Sequence, residues 1–147
     1  CFKVYLTNPS MRAALFGKLE DDSNALGSLV ETAIFSQWQH RESIELYYAR
    51  WNSGEVDIVY MPSSSTLKPK WIVEVKWTDR PYRDNRELDH CVEFLSRNSD
   101  MNQRCRITSL TISEDNVSYK GKIFDFIPAS LYAYTLGANI LSALHRG

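Results

Sequence analysis

Cysteine is scarce in this chain. Cys1, Cys91 and Cys105 are the three present among 147 residues, and no two of them form a C-x-x-C pair. An odd, dispersed set argues against a disulfide framework or a zinc site, and it fits a reducing cytoplasm. Charge of one sign is also missing: 17 Lys and Arg against 18 Asp and Glu leave a net charge of −1. Bulk charge therefore cannot hold a polyanion, and contact with nucleic acid would need a local basic patch. No run approaches the ~20 consecutive apolar residues of a membrane span. The residues that follow Cys1 carry no basic, apolar and small-residue pattern of a signal peptide. There is no G-x-x-x-x-G-K-[ST], so ATP binding through a P-loop is excluded. Internal repeats and low-complexity tracts are absent as well.

What remains is the composition of a folded domain. Hydrophobic residues make up 44% of the chain and charged residues 24%, enough apolar content to argue against disorder. The length suits a single domain over 1–147 with a real core. The patterning predicts strands at 2–6 ("FKVYL"), 43–51 ("SIELYYARW"), 55–61 ("EVDIVYM"), 70–77 ("KWIVEVKW"), 104–113 ("RCRITSLTIS") and 122–128 ("KIFDFIP"). A short helix is expected at 11–17, and a longer one over 24–39, capped by Ser23 or Asn24. In the longer helix Leu26, Leu29, Val30, Ala33, Ile34 and Trp38 form one apolar stripe with Glu31 at its margin. Residues 85–97 form an amphipathic helix, and 129–145 close the chain as a helix or helical pair. The residues between, "TDRPYRD", read as a charged loop. This order gives a mixed central β-sheet flanked by helices, α/β or α+β.

One strand is chemically unusual. "WIVEVKW" (71–77) has the apolar density of a central strand, yet it carries Glu74 and Lys76. Side chains alternate along a strand, so these two share a face with Ile72, while Val73, Val75 and Trp77 take the other. On the preceding strand the same alternation groups Val56, Ile58 and Tyr60 on one face and Asp57 with Val59 on the other. Pairing of the two strands brings Asp57 near Glu74 with Lys76 close by. Two carboxylates in an apolar sheet repel unless a cation lies between them. Lys76 answers this in part. A divalent ion with oxygen ligands and open positions, magnesium or manganese, answers it better.

Asp57 in "GEVDIVY" followed by Glu74-Val75-Lys76 resembles the motif of the PD-(D/E)XK nuclease superfamily. In that superfamily a Glu from the preceding helix often joins the metal site, and Glu31 in "SLVETAIFSQW" stands at that position. The segments "FKVYLTNPSMRAAL", "LGSLVETAIFSQW", "LYYARWNSGEVDIVY", "WIVEVKW" and "GKIFDFIPASLYAY" are similar to a family of uncharacterised C-terminal domains. Those domains follow the nucleotide-binding module of certain prokaryotic AAA+ ATPases. The resemblance covers nearly the whole chain. It implies a restriction-endonuclease-like fold, a Mg²⁺ or Mn²⁺ site at Asp57, Glu74 and Glu31, and Lys76 as the residue that assists the nucleophile. It also implies cytoplasmic phosphodiester hydrolysis of nucleic acid, and an ATPase module upstream. The abrupt start at Cys1 reads as the beginning of a fragment of such a protein.

Other residues carry plainer readings. Arg80, Arg83 and Arg86 follow Lys76 closely and could grip a phosphate backbone, although Asp79, Asp84 and Glu87 offset their charge. Tryptophans 38, 51, 71 and 77 are assigned to the core. His40, His90 and His145 form no metal pair by spacing, and Cys91 falls on the apolar face of its helix as an inert thiol. The alternative to a nuclease is a domain that keeps the fold and regulates the ATPase through DNA or a protein partner without cutting. A purely structural ion pair at Glu74 and Lys76 is the third reading.

Overall fold

The computed structural model describes residues 24–39, 44–62, 65 and 67–144. The strand expected at 2–6, the helix at 11–17, a cap at Ser23, and His40 and His145 lie outside them. The described elements run in the order α1 (Asn24–Gln39), β1 (Leu46–Trp51), β2 (Gly54–Tyr60), β3 (Trp71–Glu74) and α2 (Arg80–Arg83). A 3₁₀ turn (Asn85–Leu88) and α3 (Asp89–Arg97) follow, then β4 (Arg104–Ser109), β5 (Asp115–Tyr119), β6 (Lys122–Pro128) and α4 (Ala129–Leu144).

The strands form one six-stranded sheet in the order β1-β2-β3-β4-β6-β5. β3 and β4 are parallel, as are β4 and β6, and the other neighbours are antiparallel. The fold is therefore α/β with a mixed sheet flanked by helices. Parallel neighbours need a crossover, and the segment from α2 through α3 supplies it between β3 and β4. The apolar face of α3 (Cys91, Phe94, Leu95) packs with Leu88 on Ile72, Ile107, Phe124 and Phe126 to make a first core. Ile34 and Trp38 of α1 pack with Tyr132 and Leu136 of α4 on Ile58, Val73, Val75 and Ile127, making a second core on the opposite face. Burying each such Leu, Ile or Phe contributes about 1.5–3 kcal/mol, so both helical layers are anchored by several side chains. No described helix is long and apolar enough to cross a membrane.

Several boundaries differ from the sequence reading. The loop expected at "TDRPYRD" contains α2, with Pro81 in its first turn, where a missing N–H costs nothing. The helix expected over 85–97 is divided at Leu88 into a 3₁₀ turn and α3. The strand expected over 104–113 stops at Ser109 because the buried Asp79 carboxylate accepts the N–H groups of Leu110 and Thr111, both at 2.9 Å. β5 was not expected at all. It pairs with β6 through a two-residue turn, Lys120–Gly121, in which both residues have positive φ (48° and 72°). That geometry matches the right-handed twist of a hairpin.

Candidate metal centre

The site is built where the β2–β3 ladder stops. Between Tyr47↔Val59 and Ala49↔Val56, two residues of β2, Asp57 and Ile58, stand opposite the single Tyr48 of β1. This is a β-bulge, which re-aims side chains and interrupts pairing. It corrects the simple alternation expected for β2: Val56 and Val59 both join the first core, while Ile58 joins the second. Backbone pairing of β2 with β3 ends at Ile58↔Val73. Beyond it side chains take over. Asp57 Oδ2 accepts the N–H of Val75 at 3.0 Å, and Glu74 Oε2 receives the N–H of Asp57 at 3.4 Å. The two carboxylates are thus exchanged across the strands, and Asp57 and Glu74 are only 3% and 2% exposed.

β3 is shorter than the expected 70–77 for the same reason. After Val75 has turned to Asp57, the backbone of Lys76 is held by Thr108 of β4. The Thr108 hydroxyl accepts from Lys76 N–H and donates to Lys76 C=O, each at 2.7 Å. This fully buried clip fixes Lys76 beyond the regular strand. Its ammonium then folds back, 2.7 Å from Glu74 Oε1. A buried carboxylate costs several kcal/mol unless it is paired and hydrogen-bonded. Burial opposes the charge of Glu74, yet the bond to His90 and the charges of Lys76 and His90 outweigh it and hold the carboxyl below its ordinary value. Burial likewise opposes the Lys76 charge, but the Glu74 and Asp57 carboxylates raise it above the usual lysine range. Both groups are ionised at neutral pH.

His90 is the site residue that sequence reading missed. Its Nε2 lies 3.1 Å from Glu74 Oε1, the oxygen that also meets Lys76. Burial pulls the imidazole down, while its bonds to Cys91 and Glu74 push it up further, to about 10. Cys91 beside it stays a thiol, because its contact with Cys105 and its burial raise it well above its ordinary value. The orientation of α3 that brings His90 here depends on Gly54. A Cβ at that position would stand 2.6 Å from His90 Cβ and 3.0 Å from Trp51 Cζ2. The only weak sequence signal for His90 was its place next to Cys91, at the margin of an apolar helix face.

One ligand atom each from Glu74, His90 and Cys91 lie within 4.8 Å of one another, and this cluster could hold a metal ion. Oxygen, nitrogen and sulfur together suit a borderline ion such as zinc. Binding through all three would release a proton from the imidazolium and another from the thiol. The Asp57 and Glu74 carboxylates offer a different donor set, oxygen only, which fits a hard cation.

Of the residues expected to form the site, the structure brings Asp57, Glu74 and Lys76 together. Glu31 is half-buried on α1, whose buried Ile34 and Trp38 pack on the second-core face of the sheet. Glu74 points to the other face, toward α3. Arg80, Arg83 and Arg86 are exposed on α2 and the 3₁₀ turn. Arg80 pairs with Glu87 and Arg86 with Asp84, so two of the three guanidinium groups already have carboxylate partners. Comparison of the chain with protein-family models, curated proteins and solved structures found no match to any of them.

Proposed function

We propose that the chain is a metal-dependent nuclease domain, hydrolysing a phosphodiester of nucleic acid in the cytoplasm as the C-terminal module of an AAA+-type ATPase. The fold is read as restriction-endonuclease-like. The observation that supports this reading is the meeting of three residues of the ordered motif at the broken end of one ladder. Asp57 bonds Val75 N–H at 3.0 Å, Glu74 bonds Asp57 N–H, and Lys76 Nζ lies 2.7 Å from Glu74 Oε1. A merely structural ion pair does not require a second buried carboxylate and a bulge to aim it.

Asp57 and Glu74 would hold Mg²⁺ or Mn²⁺, with water completing the shell in place of Glu31, whose helix packs on the opposite face of the sheet. When bound, such an ion polarises a phosphoryl oxygen and lowers the pKa of a water. Lys76, pinned through Thr108, presents a fixed positive charge to the attacking water or to the charge growing on the phosphate. His90 competes with the ion for Glu74 Oε1 and must give way or lose its proton. The exposed Arg80, Arg83 and Arg86 offer sequence-independent contacts to phosphates.

One observation favours the non-catalytic reading. Glu74 Oε1 is already neutralised by two cations, Lys76 and His90, so the fold needs no metal to tolerate it. A regulatory module that binds DNA or protein would keep this arrangement. Titration with Mn²⁺ by calorimetry separates the two, because it needs neither substrate nor an ATPase. The nuclease reading expects one site in the wild-type chain, lost in Asp57→Asn and strengthened as pH rises toward 10, where His90 gives up its proton and stops competing for Glu74. Absence of binding in both proteins at neutral and alkaline pH would overturn it.

A further inference from the structure

A second site lies away from the carboxylates, on the second-core side of the sheet. It is a cavity of about 1020 Å³ between the ends of β2 and β3, the outer parts of β4 and β6, and α4. That volume is at the upper end of small-ligand pockets, roughly 300–1,000 Å³. Its wall is aromatic. Trp71 stacks on Tyr60 with ring centroids 5.0 Å apart at 27°, and lies 5.2 Å from Trp38. Trp71 and Tyr60 are only half-buried, whereas Tyr132 and Trp38 beneath them are buried. Burial pushes the Tyr132 phenol up to about 12, so it stays a neutral hydroxyl.

The rim is cationic once its ion pairs are counted. Lys68 meets Asp100 at 2.9 Å, and Arg104 holds Asp125 through two bonds of 3.0 and 2.6 Å. Those two pairs use both acidic residues of the cavity wall. Lys70 and Arg106 line it too, are exposed, and have no carboxylate partner among the described residues. The side-chain amides of Asn102 and Asn139 stand on the same wall, both residues exposed. Aromatic planes, two unneutralised cations and two amides make a consistent set. A free inorganic anion would leave the aromatic wall unused. An aliphatic chain would leave the cations and amides unused.

We propose that this cavity binds a nucleoside monophosphate unit, its base against Trp71 and Tyr60 and its phosphate at Lys70 and Arg106. Base-to-aromatic stacking tolerates any base, because every base has a π-face. The asparagine amides supply paired donors and acceptors for a base edge. The unit comes either as a free nucleotide or as one residue of a single strand, and the chemistry at the wall is the same. The proposal does not rest on the nuclease reading, since none of these residues touches Glu74.

The test is calorimetry and tryptophan quenching on the whole chain in EDTA. The probes are AMP, GMP, CMP and UMP, single-stranded oligonucleotides of ten residues, and inorganic phosphate. Saturable one-to-one binding of a mononucleotide assigns the cavity to a free nucleotide. Binding of the oligonucleotides alone assigns it to a strand. In either case the double variant Lys70→Ala/Arg106→Ala weakens binding by roughly tenfold or more, as expected for the loss of charged hydrogen bonds. Both side chains are exposed, so this variant folds. Trp71→Leu removes most of the quenching, and Asp57→Asn leaves binding unchanged, which separates this site from the carboxylate centre. The proposal is overturned if neither nucleotides nor oligonucleotides bind, if phosphate alone binds as well as a nucleotide, or if the double variant binds like the wild type.

Discussion

Gly54→Ala tests how the site is aimed. A β-carbon at position 54 would sit 2.6 Å from His90 Cβ, 3.0 Å from Trp51 Cζ2 and 3.3 Å from Trp51 Cε2. Carbon atoms rest at about 3.5–4.0 Å, so His90 Cβ must retreat by roughly 1 Å. That atom is fixed to the α3 backbone and cannot swing away. The helix itself must move, and Cys91 and Leu95, both fully buried in the first core, move with it. Overpacking of this kind costs about 1–3 kcal/mol. The same retreat stretches the 3.1 Å contact of His90 with Glu74 beyond hydrogen-bonding range. Losing a hydrogen bond to a charged group adds about 1.5–3 kcal/mol. Against this, alanine in place of glycine stabilises by about 0.4–1 kcal/mol through the unfolded chain. The sum is destabilising. Urea unfolding should show a lower midpoint, and the His90 imidazole, followed by NMR, should titrate closer to its ordinary value. Unchanged stability together with an unchanged His90 titration would refute the close approach of β2 and α3.

Other perturbations address the rest of the centre. The folded-state pKa of His90 is raised from 6.5 to about 10, so its contribution to stability is full below about pH 6.5 and is lost as pH rises toward 10. Glu74 is lowered from 4.5, so its contribution is present above that value and is lost as acid protonates it. Urea midpoints measured across pH should therefore fall on both sides, and His90→Gln should flatten the alkaline decline. Thr108→Val keeps the shape but removes the hydroxyl that bonds both backbone groups of Lys76. It should cost about 1–3 kcal/mol for the part-buried N–H and C=O left unpaired, read from the same unfolding curves. Lys76→Met should leave the fold intact, since the ammonium is partly exposed, while Mn²⁺ affinity rises because a competing cation has gone. A fall in Mn²⁺ affinity in that variant would contradict the geometry.

Elements with strong local periodicity were legible in the sequence. The bounds of α1 (Asn24–Gln39) and β6 (Lys122–Pro128) are those the pattern predicts. The approach of Glu74 to Asp57 was also foreseeable, because antiparallel neighbours joined by a loop place them opposite each other. The bulge that accomplishes it was not. One additional residue leaves the hydrophobic pattern of "VDIVY" unchanged, yet it moves Val56 and Val59 onto one face. β5 escaped because an edge strand with exposed polar residues has almost no alternation to read. His90 escaped because its partner is sixteen positions away, and helical spacing carries no trace of a contact made across a sheet. The cavity beside Trp71 was hidden for a similar reason. Tryptophan 71 reads as core by composition, and only the tertiary fold leaves it half-buried.

The central claim is that Asp57, Glu74 and Lys76 form a metal-dependent centre for phosphodiester hydrolysis. Its most direct test is the cleavage of single- and double-stranded DNA and RNA by the purified chain in Mg²⁺ or Mn²⁺, beside Asp57→Asn, Glu74→Gln and Lys76→Met. The account predicts cleavage of at least one substrate, abolished by chelation and in each variant while the variants remain folded. Cleavage that survives in Asp57→Asn and Glu74→Gln, or no cleavage by the metal-loaded wild type, would contradict it.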